Sequence, residues 1–452
     1  MNTTPPQRKS FGQWIKTSLT IRMIMIGILI LVMLIPLSFI ESLIRERAYR
    51  QEEVVKEINQ KWGNEVLLYG PLLKVPYNTH TTSKIWDEKT KVYKEEKTTA
   101  INYAYFFPAD LSVDSKIQTE PLDRGIYESI VYTADINISG KFDHPNFETQ
   151  DIAPEDILWN KATIILKSSN LKGIKSNLNF NLGEETYPLR SKYTRNRELN
   201  TMETKFLKED SFSLDRTQVF SLNFKVQGSE SLRFIPVGKE TKVSMSSDWG
   251  SPSFDGNFLP DTKTKKITEN GFKANWKVLE INRDFEQEFF GSLPDISYSA
   301  FGAKLIIPVD EYQKSERAAK YGYLVIALTF LVFFLIQSIS KINIHPFQYL
   351  MIGLALTMFY TLLISISEHS SFLSAYAIAS ISVIALISIY SKAVLKSLKF
   401  SLFITASLVL LYGFIFVIIQ LENYALLVGS VGLFLILGAI MMVSRKIDWS
   451  NN

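Results

Sequence analysis

Six stretches of this 452-residue chain are long, apolar and almost free of charge: Met23–Ile40, Lys320–Ser340, Phe347–Ser367, Phe372–Ser391, Phe400–Gln420 and Tyr424–Val443. A helix rises about 1.5 Å per residue, so about 20 apolar residues cross a hydrocarbon core of roughly 30 Å. In lipid a single segment can satisfy its backbone polar groups only as a helix. The sequence therefore predicts a six-span α-helical membrane protein, with one N-terminal anchor (23–40) and a five-helix bundle (320–443). Short links make the last five spans antiparallel neighbours. A cleaved signal peptide would share the basic flank of Met23–Ile40. However, the apolar run is longer than a usual h-region and no small-x-small site follows it, so an uncleaved anchor is expected.

Charge is distributed unevenly. Only ten of the 49 Lys and Arg, and three of the 45 Asp and Glu, lie outside Glu41–Lys320. With the N-terminus placed inside, those ten all fall in inside segments. They are Arg8, Lys9, Lys16 and Arg22; Lys341; Lys392, Lys396 and Lys399; and Arg445 and Lys446. The short outside loops hold Glu368 with His369, and Glu422. The positive-inside rule then makes the tails 1–22 and 444–452 cytoplasmic and places Glu41–Arg317 on the periplasmic side of an inner membrane. Arg45, Arg47 and Arg50 run against the rule. They alternate with Glu41, Glu46, Glu52 and Glu53 and lead a long domain, where the rule is weak. The pI of about 8.8 reflects this bias, so no nucleic-acid partner is expected.

Between the first two spans the periodicity changes twice. Glu41–Trp62 follows a helical period and carries acid-before-base pairs at i,i+4 (Glu41–Arg45, Glu46–Arg50, Glu52–Lys56, Glu57–Lys61) until Gly63 stops it. A stalk continuing the anchor is expected; a partner-binding helix is the other reading. Over 63–317 the period becomes two. Ile130 to Ile138, Ile174 to Leu182 and Phe220 to Val226 alternate apolar with polar, and Asp255-Gly256 and Asn270-Gly271 mark turns. This predicts a large antiparallel all-β sandwich-like domain. Thr81–Thr99, rich in Lys, Glu and Thr, reads as a mobile loop or an exposed hairpin.

Few residues carry chemistry. The chain has no Cys and four His, and no HExxH, GxSxG, GxGxxG after a strand or GxxxxGK[ST] occurs, so no metal, cofactor or catalytic residue is assigned. The spans contain no charged residue or His apart from the terminal Lys320, which speaks against proton- or ion-coupled transport. Gln337 and scattered Ser and Thr are their polar groups, with Gln348 and Gln420 at span ends. Three features are candidates. Glu368-His369 lies in a short outside loop, where a carboxylate beside an imidazole could titrate near neutrality, or simply end a helix. His345-Pro346 opens a span, with Pro at an ordinary first helical position. Trp249, Phe254 and Trp276 belong to an aromatic cluster that either plugs the sandwich or forms a binding surface. Ala375/Ala379 and Ala425/Gly429 allow close helix approach.

Several of these residues together resemble the CreD family of bacterial inner-membrane proteins. The resemblance is carried by Ile35-Pro36, Leu43-Ile44-Arg45-Glu46-Arg47, Gly70-Pro71-Leu72, Trp249 with Ser251-Pro252-Ser253-Phe254, Phe258-Leu259-Pro260 and Gly271-Phe272 with Trp276. It continues through Glu316-Arg317-Ala318, His345-Pro346 with Gln348-Tyr349-Leu350, Ser367-Glu368-His369 and Ile447-Asp448-Trp449. It implies a non-enzymatic role in envelope integrity and the envelope stress response, with altered sensitivity to colicins and β-lactams. It also raises Glu368, His369, His345 and Arg317 as family-motif positions. The partners to expect are the lipid bilayer and envelope proteins, peptidoglycan or lipid. The alternative readings are a transporter or lipid-handling protein built on the bundle, and a membrane hydrolase using Glu368 and His369.

Overall fold

Each apolar stretch folds as a helix, as the absence of water partners in lipid requires. The structure, a computed structural model, describes residues 19–87, 91–193, 199–213, 216–305, 311–340, 342–421 and 424–445. The tails 1–18 and 446–452, Lys341, Glu422 and the Ile447-Asp448-Trp449 motif lie outside the described residues. The chain divides into two compact units, Met1–Glu53 with Val309–Asn452, and Val54–Pro308.

The first unit contains most of α1 (Leu19–Trp62), then α2 (Glu311–Lys320), α3 (Gly322–Ser340), α4 (Pro346–Ser367), α5 (Phe372–Leu395), α6 (Leu398–Gln420) and α7 (Ala425–Ser444). Among the described residues, all of these except α2 are long and apolar enough to span a bilayer. Anchor and stalk form one unbroken helix through Pro36. Ile26, Met33, Leu37 and Ile44 make a buried seam along it. Two glycines receive that seam. A Cβ on Gly353 of α4 would sit 2.6 Å from the Met33 sulfur, and one on Gly322 of α3 would sit 2.6 Å from a Leu37 methyl. Lipid tails are as apolar as Leu, so spans associate through close packing at small residues rather than through a hydrophobic stripe. The first span is thus packed against α3 and α4 instead of standing apart from them.

The expected β region reached 317, but Glu311–Lys320 is helical and belongs to the membrane unit. Tyr312, Ser315, Ala318 and Ala319 form its buried face, the i, i+3, i+7 pattern of an amphipathic helix. Ten residues are too few for that pattern to stand out beside the strands before it.

Two sheets make up the second unit. One is ordered Pro252–Gly256, Phe301–Leu305, Ser231–Phe234, Val66–Asp87, Thr163–Ser168, Asn200–Glu203, Arg190–Lys192. Val92–Phe106 pairs with the outer part of Val66–Asp87, and Glu288–Phe290 pairs with Val92–Phe106. The other is ordered Lys266–Thr268, Gly271–Leu279, Glu240–Ser247, Asp110–Arg124, Tyr127–Phe142, Gln218–Ser229, Asn179–Leu182, Glu185–Pro188. Alternation predicts burial well here. Phe220, Leu222, Phe224 and Val226 are buried, while Ser221, Asn223 and Lys225 are exposed. Phe220 stacks on Phe180 at 5.5 Å and lies tilted against Phe142 at 4.9 Å.

The sheets are mixed rather than purely antiparallel. Val66–Leu68 runs parallel to Leu232–Phe234, and Glu240–Ser247 parallel to Asp110–Ile117. Alternation reports which face is buried and carries nothing about strand direction, which depends on distant crossovers. Thr81–Thr99 lies in a long hairpin whose outer part is exposed, with Trp86 and Tyr93 in edge contact at 5.0 Å.

The last turns of α1 belong to this unit and dock into it. Asn59 is buried; its amide donates to Glu230 at 2.8 Å and its carbonyl accepts from Ser129 at 2.8 Å. Gly63 ends the helix at φ 150°, where a Cβ would collide with the Asn170 amide and the Gln227 carbonyl. Only glycine fits that close approach.

Gly353→Leu should lower the thermal midpoint of the full chain in detergent by several degrees, because the new side chain displaces Met33. Gly438→Leu should leave it unchanged, since nothing lies within 4 Å of its Cβ position. Equal effects of the two would show that the α1 seam does not depend on this approach.

Candidate functional site

The polar groups that gather at one end of the membrane unit come from elements far apart in sequence. Glu368 caps the C-terminus of α4, where the helix dipole disfavours a carboxylate. Arg47 of α1 compensates, its Nε 3.6 Å from Glu368 Oε1, and the Tyr312 hydroxyl donates to the same oxygen at 3.5 Å. The Glu368 side chain is only 16% exposed, so this pairing is screened less than a surface one. A second acid, Glu316 of α2, takes Arg45 at 3.7 Å and Lys320 at 3.2 Å. Arg45 therefore turns to Glu316 instead of the Glu41 expected at i,i+4. Lys314 sits 5.8 Å from the Phe372 ring centre.

The structure does not bring the Glu368 and His369 side chains together. Glu368 turns inward, whereas His369 is exposed, and no hydrogen bond links their side chains among the described residues. Arg317 is half-buried on α2 and makes no ion pair among the described residues. His345 caps α4: its Nδ1 accepts from Phe347 N–H at 3.2 Å, and its own N–H donates to Gln348 at 2.9 Å. The Gln337 amide is also satisfied, accepting from the Tyr349 hydroxyl at 2.9 Å.

In the β unit the aromatic cluster is turned toward the core. Trp276 is buried, 5.7 Å from Phe254 and 5.7 Å from Phe301, and its indole N–H donates to the Phe258 carbonyl. Trp249 is half-buried and donates to the Ser251 carbonyl at 3.1 Å. These contacts suit the packing reading, because the apolar faces and both polar handles are already used.

Two polar groupings were not visible as motifs. His80 lies between Thr99 Oγ1 at 3.0 Å and Asp156 Oδ1 at 2.8 Å. The order hydroxyl–imidazole–carboxylate resembles a nucleophile relay. Yet it sits on the exposed hairpin and His80 is half exposed, so a latch holding the hairpin to the Pro154–Asp156 turn fits better. Glu203 is the other. It binds Lys74 at 2.9 Å, Lys192 at 2.5 Å and Thr163 Oγ1 at 2.8 Å. Burial raises its pKa, but the hydrogen bonds from Lys192, Lys74 and Thr163 outweigh burial and hold the carboxyl below its usual range. The partners of both are tens of residues apart or on different strands, so no local signal marks them.

A carboxyl with a depressed folded pKa adds stability above its unfolded pKa and loses it as pH falls through the folded value. The unfolding midpoint of the full chain, followed by tryptophan fluorescence, should therefore drop between about pH 5 and pH 3. Glu203→Gln should be less stable at neutral pH and flatter across that window; an unchanged slope would remove Glu203 from the acid response. At the membrane unit, Arg47→Ala, Glu368→Ala and the double variant should give a coupling energy of about 0.5–1 kcal/mol in thermal unfolding. A coupling near zero would make the Arg47–Glu368 contact energetically silent.

A family model described as Inner membrane protein CreD matches residues 18–450. The Escherichia coli (strain K12) protein described as Inner membrane protein CreD is 30% identical over 440 residues, covering 93% of this chain and 91% of the relative. Both matches take in the spanning helices and the β unit together. With six membrane-length helices around a large mixed-sheet domain, and a match running through nearly all of it, the chain is a multi-pass inner-membrane protein of the CreD family.

Proposed function

We propose that this protein supports cell-envelope integrity without being an enzyme, presenting its β unit to the periplasm from a membrane bundle with both termini in the cytoplasm. The observation that carries the reading is the charge arrangement. Short segments on one side hold Arg22, Lys392, Lys396, Lys399 and Arg445, while the other side holds Glu368 and His369. Of Arg45, Arg47 and Arg50, which run against this bias, Arg45 pairs with Glu316 and Arg47 with Glu368. All three lead a long domain, where the orientation rule is weak, so the short segments decide. The non-enzymatic part is supported by what the candidate side chains do. His345 caps a helix, Trp276 fills the core and Glu368 is held by Arg47 and Tyr312.

Deleting the chromosomal copy should raise sensitivity to detergent, colicin and cell-wall antibiotics under inducing conditions, and the wild-type chain supplied in trans should reverse it. His369→Ala should complement as well as wild type. Unchanged sensitivity on deletion would remove the envelope role. Failure of His369→Ala to complement, at normal membrane levels, would reopen chemistry at the Glu368–His369 loop.

A further inference from the structure

The last helix packs unlike the others. α7 buries none of its residues. It meets α6 where Gly432 admits the Phe414 ring. Toward its C-terminal end, α3, α6 and α7 enclose a cleft of about 960 Å³. That is near the upper end of the ~300–1,000 Å³ typical of small-molecule sites. Its walls are apolar, with Val332 and Leu335 from α3, Phe403 and Leu411 from α6, and Leu435 and Ile440 from α7.

Three features define the occupant. At one end of the bundle Ile339, Lys399 and Val443 line the cleft. At ~1.5 Å per residue its lining runs about 16 Å along α7 (Val443 to Gly432) and about 22 Å along α6 (Lys399 to Phe414), short of a core of roughly 30 Å. It therefore reaches inward from the Lys399 end without crossing the core. Its mouth carries the exposed Lys399, with Lys392 and Lys396 on the same short connection and Arg445 just past α7. The sequence holds no Asp or Glu from 336 to 347 or from 390 to 402, and Asp448 is the one acid that follows Arg445 and Lys446, so cations predominate at this end. A free phosphate would match the lysines but leave the apolar walls empty. An acyl chain with a neutral headgroup would fill the walls but leave the charge unused.

We propose that this cleft is a binding site for one anionic phospholipid of the leaflet at the Lys399 end, with an acyl chain between α3, α6 and α7 and the headgroup phosphate at Lys399. Basic pockets between membrane helices recognise anionic headgroups in this way. The site adds a ligand to the envelope role and does not depend on which side of the membrane Lys399 faces.

The test is native mass spectrometry of the full chain in detergent, titrated with dioleoyl phosphatidylglycerol or dioleoyl phosphatidylcholine. The wild type should retain one phosphatidylglycerol about tenfold more tightly than phosphatidylcholine. Lys399→Gln should abolish that preference, Lys399→Arg should keep it, and Leu435→Trp, which fills the cleft, should weaken retention of both lipids. If Leu435→Trp does not fold, the two Lys399 variants at the exposed mouth decide alone. Equal retention of the two lipids by the wild type, or a preference indifferent to Lys399→Gln, overturns the proposal. A lipid-free dimer in place of the lipid-bound chain also overturns it and assigns the α7 face to a second copy.

Discussion

One helix has to satisfy two solvents. α1 runs unbroken from Leu19 to Trp62, and its burial pattern changes along its length. In the membrane unit Ile26, Met33, Leu37 and Ile44 form its buried seam, and Met33 and Leu37 close on glycines of α4 and α3. In the β unit its last turns exchange hydrogen bonds through Asn59 with Ser129 and Glu230. Van der Waals fit holds the first half, since lipid gives apolar surface no reason to leave it. Paired polar groups hold the second, since an unpaired buried amide would cost about 1–3 kcal/mol. Both units depend on the same helix by different physics.

Between those halves stand Arg45 and Arg47, at the end of the apolar run. Charge at that position needs a counterion, and Glu316 and Glu368 provide it from α2 and α4. The pairs give a reason for the otherwise costly carboxylate at the α4 C-terminus. They also leave His369 to solvent. The two neighbours in sequence part ways, Glu368 to an ion pair with Arg47 and His369 to the exposed surface.

The legible parts of the fold are those set by local pattern. An uncharged run of about 20 residues has one stable form in lipid, and the Phe220–Val226 alternation has one buried face. The illegible parts are set by partners. Nothing around Gly322 or Gly353 announces that Met33 and Leu37 will press on them. Nothing in Glu240–Ser247 announces a parallel neighbour at Asp110–Ile117. For the candidate residues, position was legible and role was not. His345 and Trp276 show their use only once the cap and the surrounding rings are in place. The Thr99–His80–Asp156 and Glu203 groupings exist only because strands pair.

The proposed orientation puts the β unit and the Lys392–Lys399 connection on opposite sides of the inner membrane. The chain has no cysteine, so a single introduced thiol reports its side without background. Lys94→Cys on the exposed hairpin and Lys396→Cys at the α5–α6 connection can be treated with a membrane-impermeant maleimide in cells with a permeabilised outer membrane. Lys94→Cys should label at once, and Lys396→Cys should label only after the inner membrane is opened. The reverse pattern, or immediate labelling of both, would contradict the proposed orientation.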